Sequence, residues 1–367
     1  MTDKSYLYDV VAGSYDGYIY GMSALIENNS DSPNTYKSTL VQQFVERAHS
    51  THIKVLSSSW PQLATAGIDD VINLYNLETL REVGTLHQHL SKIQHMQFLP
   101  SSHLISLSED GDLIVWDTHS WRPIRTLALG EKGKSFTYFS VHPSEKLLFA
   151  ISPSDSILAL CDLRTARCAY SMKLKDRPVE IECSPCGDMY ALVHSNTLSL
   201  YGMHSMDAVC SLHLRDNVEI NCVMFLSKNM LAFGGEIDFI KIVTIDKFVT
   251  NESEFEAHEN RVKSLKGTLP FLFSSSTDGK VKVWYLKDAT RIDLQLIGEI
   301  NLGVRLTSLT VSCISEFISN DTDRDELQAI SYEDKFKKMA LYYKRKNYKT
   351  RNRTGVCAVT SSNYTVC

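Results

Sequence analysis

Short runs in which apolar and polar residues alternate one for one recur along most of the chain, and the runs end at turns rich in Gly, Asp, Asn or Ser. Residues 257–286 show the pattern most clearly. Leu272-Phe273-Ser274-Ser275-Ser276 rises to Thr277-Asp278-Gly279, and Val281 and Val283 then alternate with Lys280 and Lys282 up to Trp284. Asp-Gly between two alternating runs predicts a β-hairpin, because the tight turn needs residues that tolerate positive φ. Equivalent turn residues stand at Asp16, Asp69, Asp110, Asp155, Asn196, Asp238 and Asp278, spaced 53, 41, 45, 41, 42 and 40 residues apart. A four-stranded antiparallel blade occupies about 40 residues, so the spacing predicts an all-β ring of such blades. A polar stretch at 27–38, expected to be a surface loop, lengthens the first interval.

The N-terminal unit starts halfway through a blade. Residues 9–22 supply a second and a third strand around Asp16-Gly17, residues 40–45 supply an outer strand, and nothing before them supplies a first. The missing strand is expected from 300–311, pairing the two ends of the chain and removing an exposed sheet edge. The expected architecture is a seven-bladed β-propeller over 8–317, followed by a tail at 318–367. That tail carries a basic cluster at 335–353, with a short basic helix at 332–348 and disorder in isolation expected.

Three of the repeats share a polar signature. From His to Asp to the aromatic residue the offsets are 20 and 6 for His258, Asp278 and Trp284, and 21 and 6 for His89, Asp110 and Trp116. They are 20 and 6 for His49, Asp69 and Tyr75, where Tyr takes the Trp place. These repeats resemble WD40 blades, in which a buried His–Ser/Thr–Asp–Trp chain ties the leading loop to the hairpin turn. Ser274, Ser106 and Thr65 complete the three tetrads. Each buried polar member needs a partner, so these residues read as structural rather than catalytic. The blades beginning near residues 128, 175 and 215 lack the tetrad and are expected to hold by apolar packing and strand pairing. Cys161 takes the Trp place in the first of these.

Composition changes the picture in two respects. The formal charge is −5, from 38 basic and 43 acidic residues. Nine of the basic residues, Lys335, Lys337, Lys338, Lys344, Arg345, Lys346, Lys349, Arg351 and Arg353, lie in the tail cluster, leaving the remainder at −14. An acidic body with a basic tail places any RNA contact in the tail rather than on the propeller. The cluster equally suits a nuclear-import signal or a solvated helix face. The nine cysteines are odd in number and scattered, as expected of reduced thiols in an intracellular protein. Cys183 and Cys186 have CxxC spacing but no second pair nearby, so they read as a turn and an inward thiol, with no metal or cofactor expected. No apolar run is long enough to span a bilayer, and no membrane partner or small-molecule substrate is expected.

Four stretches carry a more specific likeness: 11–17 (VAGSYDG), 103–117 (HLISLSEDGDLIVWD), 255–263 (FEAHENRVK) and 299–307 (EINLGVRLT). In these the chain resembles the p21-activated-kinase-interacting WD40 family, whose yeast counterpart is a ribosome-assembly factor, over roughly 8–315. The resemblance implies a non-catalytic, nuclear and nucleolar scaffold. Its implied partners are large-subunit pre-ribosome assembly factors and a p21-activated kinase, which it would restrain. The alternative is a cytosolic kinase-binding adaptor without a ribosomal role. The family's long lysine-rich tail is replaced here by the 335–353 cluster and an unrelated end. Glu259, Asn260, Arg261 and Lys263, with Arg305 in the next blade, are the candidate partner-binding residues, Glu259-Asn260-Arg261 being no requirement of a generic blade. Arg261 alternatively pairs with an adjacent acidic side chain. No nucleophile motif, phosphate-cradling loop or complete metal cluster marks an enzyme.

Overall fold

In a computed structural model, residues 4–28, 35–129, 134–203, 208–214, 219–236, 238–245, 250–288 and 292–318 are described. They build seven four-stranded antiparallel sheets and no helix. Burial falls from the inner to the outer strands. Phe271–Ser276, a second strand, is buried at every position, whereas Arg122–Ala128, a fourth strand, is exposed at all but one. A second strand has paired neighbours on both edges and a blade on each face, so it reads as a continuous apolar or small-residue run. Outer strands face solvent and carry charge.

Numbered along the chain, blades 1 to 6 have as innermost strands Val55–Ser59, Ile93–Leu99, Tyr138–Val141, Pro178–Cys183, Ile220–Ser227 and Val262–Thr268. Blade 7 joins the two ends of the chain: Leu306–Ile318 lies innermost beside Lys4–Ser14, Tyr18–Asn28 and Tyr36–Arg47. The molecule is therefore a seven-bladed propeller closed by its terminal strands. Two sequence boundaries shift. Residues 293–301 form the outer strand of blade 6, with Ile300 opposite Val281, so the closing strand starts at Leu306 instead of 300. Part of the expected loop at 27–38 is strand, because Glu27 and Asn28 pair with Lys37 and Tyr36.

Packing at the joint between blades 6 and 7 is aromatic. Phe271 lies edge-on to Tyr6 at 5.0 Å and to Tyr36 at 5.3 Å, while Tyr8 meets Phe273 at 5.3 Å. Hydrogen bonds between innermost strands run around the axis. Ser57 Oγ accepts the Phe98 N–H at 2.9 Å, and Gln97 Oε1 accepts that of Val141 at 3.4 Å. Ser140 Oγ accepts the Cys183 N–H at 3.0 Å, and Glu180 Oε2 accepts that of Val223 at 3.0 Å. Across the closure, Thr307 Oγ1 donates to the Ile53 carbonyl at 2.6 Å, and Ser58 Oγ lies 2.7 Å from both Thr310 Oγ1 and Ser312 Oγ. In each of blades 1 to 4 one side chain thus satisfies a backbone donor of the next blade.

Candidate protein-docking face

Antiparallel alternation fixes which loops share a face. The segment leading into each innermost strand and the turn between second and third strands lie at one end of the ring; the turns between first and second strands lie at the other. The first end carries every tetrad and all five candidate docking residues.

In blade 6 the tetrad is complete. The Trp284 indole N–H donates to Ser274 Oγ at 2.9 Å, Ser274 Oγ lies 2.8 Å from His258 Nε2, and His258 Nδ1 donates to Asp278 Oδ2 at 3.1 Å. Burial, ahead of the opposing pull of Asp278, holds the His258 pKa below its usual value, so the ring is neutral and relays a hydroxyl to a carboxylate. Gly279, at φ +85°, closes the turn, where a Cβ would stand 2.9 Å from the Val304 carbonyl. Blade 1 keeps His49 bonded to Asp69 and to Thr65, both at 2.9 Å. Tyr75 is buried in the Trp place, but Thr65 has His49 as its one side-chain partner among the described residues, so this tetrad stops at three members.

Blade 2 departs from expectation. Trp116 donates to Ser106 at 2.8 Å and Ser106 lies 2.6 Å from His89 Nε2, yet His89 Nδ1 has no partner among the described residues. Asp110 is taken locally instead, by the Ser108 hydroxyl and by the Asp112 N–H at 3.4 Å. A serine two residues before the turn competes for the carboxylate and opens the tetrad.

The docking candidates sit on the same face with unlike surroundings. Arg261 pairs with Glu236 of blade 5 at 2.7 Å, and Glu259 pairs with Lys280 at 2.5 Å. Asn260 is exposed, and its carbonyl accepts the Ser276 hydroxyl at 3.3 Å. Lys263 is half-buried, and Arg305 is exposed in the segment leading to the closing strand. Burial first, then Arg261 and Arg305, push the Lys263 pKa down, so the structure brings these three cations together. The nine tail cations lie outside the described residues.

Sequence reasoning missed the groups beside Arg305. Its guanidinium lies 5.1 Å from the Tyr15 ring, and the His52 ring stacks on Tyr15 at 5.3 Å with a 6° interplanar angle. The Tyr15 N–H donates to the Arg305 carbonyl at 2.9 Å, and the Tyr15 side chain is 52% exposed. Lys54 follows His52 and reaches Gln94 of blade 2. An aromatic residue beside an Asp-Gly turn was the available signal for Tyr15.

No set of three or more His, Cys, Asp or Glu is arranged to hold a metal among the described residues. Cys183 is buried and Cys186 exposed, with both thiols free. Three carboxyls are raised far, each first by burial: Glu180 to about 8 and Glu182 to about 7 on the innermost strand of blade 4, and Asp9 to about 7 on the second strand of blade 7.

Comparison with known proteins adds names to this geometry. The family described as "WD domain, G-beta repeat" matches residues 80–117 and 250–285, which hold the Trp116 and Trp284 hairpins. A Danio rerio protein, "p21-activated protein kinase-interacting protein 1-like", is 31% identical over 89% of this chain and 86% of its own length. The Homo sapiens "p21-activated protein kinase-interacting protein 1" is 31% identical over 83% of this chain and 76% of its own. "Protein MAK11" of Saccharomyces cerevisiae is 24% identical over 82% of each chain.

Proposed function

This chain belongs to the p21-activated kinase-interacting WD40 family, and from that premise we propose that it is a non-catalytic scaffold that binds protein partners on its leading-loop face. The carrying observation is the Arg305–Tyr15–His52 arrangement, with Arg305 and Tyr15 exposed on the leading-loop face. A rigid propeller holds such groups in place at little entropic cost, which is what repeated partner binding requires.

Two partners follow from the family. The kinase-interacting names of the relatives support binding to a p21-activated kinase, with restraint of that kinase as the consequence. The likeness to the yeast protein supports a place in assembly of the large ribosomal subunit, in the nucleus and nucleolus, with RNA contact left to the basic tail. Affinity purification of the tagged full-length chain beside a version ending at residue 317 tests both. Large-subunit precursors recovered with both versions support the assembly role through the propeller. Recovery with the full-length chain alone moves that contact to the tail. A kinase with no ribosomal precursor in either sample leaves the adaptor reading, and neither partner in either sample contradicts the proposal.

A further inference from the structure

Lys263 is the second residue of the innermost strand of blade 6, and Arg305 and Lys54 immediately precede those of blades 7 and 1, so the three mark consecutive blades. None of the three pairs with a carboxylate among the described residues. Arg261, by contrast, is matched by Glu236 at 2.7 Å, and Lys92 on blade 2 faces Glu109 at 3.9 Å. Burial lowers the Lys54 pKa, with Glu109 pulling it back more than Lys92 pushes it down, and burial and Arg261 lower that of Lys263, against Glu236 and with Arg305 adding to the fall. Lys263 and Arg305 come together with Arg261 against their mutual repulsion, on a body whose balance outside the tail is −14. Tyr15 stands among them, held by His52 and Arg305, and Leu90 on the leading loop of blade 2 is 89% exposed.

We infer that this inner rim, centred on Tyr15, His52, Lys54, Lys263 and Arg305, is a binding site for an acidic peptide segment that carries an apolar side chain. Carboxylates from such a segment supply the counter-charges that the three cations lack, and the apolar residue covers Tyr15 or Leu90. A nucleic acid fits less well. Asp16, Asp70 and Glu109 occupy the turns of the surrounding second and third strands, and an extended phosphate backbone must cross them. A short peptide stays inside that ring of negative charge. The site rests on the scaffold reading and specifies the partner chemistry for it.

The test is fluorescence polarisation with the full chain and three labelled probes: a short Glu/Asp-rich peptide containing leucine, the same peptide with Gln and Asn for the acids, and oligouridylate. Binding of the acidic peptide is expected, weakening about tenfold or more in an Arg305→Gln, Lys263→Gln double variant and falling steeply with added salt. Lys228→Gln, at the opposite end of the ring, should leave the affinity unchanged, and equal unfolding midpoints establish that all variants are folded. No binding of the acidic peptide, or binding indifferent to the double variant, overturns the inference. Oligouridylate bound in preference to the peptide, and lost in the double variant, overturns it in favour of a nucleic-acid site. A chain that ignores the peptide yet still co-purifies with its protein partners removes this site and leaves the scaffold standing. One that loses both fails on both counts.

Discussion

Glu180 Oε2 accepts the Val223 backbone N–H at 3.0 Å, joining the innermost strand of blade 4 to that of blade 5. Burial pushes this carboxyl from 4.5 up to about 8, against the opposing pull of the Tyr138 hydroxyl and Lys266, and Glu182 beside it reaches about 7. A raised folded-state pKa means that the protonated form is favoured in the ring. The contribution to stability is complete below 4.5 and is lost as pH rises through about 8. Glu180→Gln keeps an acceptor for Val223 and cannot ionise, so it should remove a loss on the order of a few kcal/mol at alkaline pH. Urea unfolding across this range checks it. A variant with the same alkaline decline as the parent would show that Glu180 stays ionised at little cost.

The acid limb should come from histidines. Burial lowers His89 from 6.5 to about 4 and His95 to about 3, and His95 packs on Tyr138 at 3.9 Å and on Phe139 at 4.7 Å. A depressed histidine gives stability that is complete above 6.5 and is lost as pH falls toward the folded value. His95→Phe should therefore shift the onset of acid unfolding to lower pH, read by circular dichroism. An unchanged onset sinks this assignment.

The two Trp-bearing tetrads should respond unequally to loss of their Asp. Asp278 accepts the His258 Nδ1–H at 3.1 Å, whereas Asp110 makes no bond to His89. Asp278→Ala strands a buried donor and should cost about 2–3 kcal/mol, while Asp110→Ala should cost about 1 kcal/mol. Equal losses in chemical denaturation would mean that His89 reaches Asp110 in solution.

Closure makes the last described strand indispensable. Leu306–Ile318 pairs with the N-terminal strand and bonds blade 1 through Thr307 and the Ser58–Thr310–Ser312 group. A chain ending at residue 305 leaves the second strand of blade 7 as a bare edge and should aggregate or lose its cooperative transition. One ending at residue 318 should melt as the full chain does. Light scattering and calorimetry separate the cases, and a cooperative monomer from the shorter chain would refute closure as the source of stability.

The fold was legible because its signals are local. Alternation around Asp278-Gly279 and the half-blade before Asp16-Gly17 each follow from a few neighbouring residues. The bonds around the axis were not legible. Ser57, Gln97, Ser140 and Glu180 perform one task, yet they comprise three residue types, Glu180 sits two residues before the position the others share, and each partner lies 41 to 44 residues away. His89 and Asp110 have the right spacing for a bond that the Ser108 hydroxyl diverts, a rotamer choice that spacing does not encode. At the candidate site, Arg305 and Lys263 were visible as charges, and the pairing of Arg261 with an acid was foreseen as an alternative. Glu236 as that acid, and Tyr15 and His52 as the neighbours of Arg305, depended on contacts between blades.

Cross-linking mass spectrometry of the chain bound to its purified partner tests the central claim most directly. Lys54, Lys92 and Lys263 mark the leading-loop end of the ring, and Lys146 and Lys228, in turns between first and second strands, mark the other. Amine-reactive cross-links to the partner from Lys54, Lys92 and Lys263 are the expected result. Links confined to Lys146 and Lys228 would place the partner on the opposite end and contradict a docking face built around Arg305 and Tyr15.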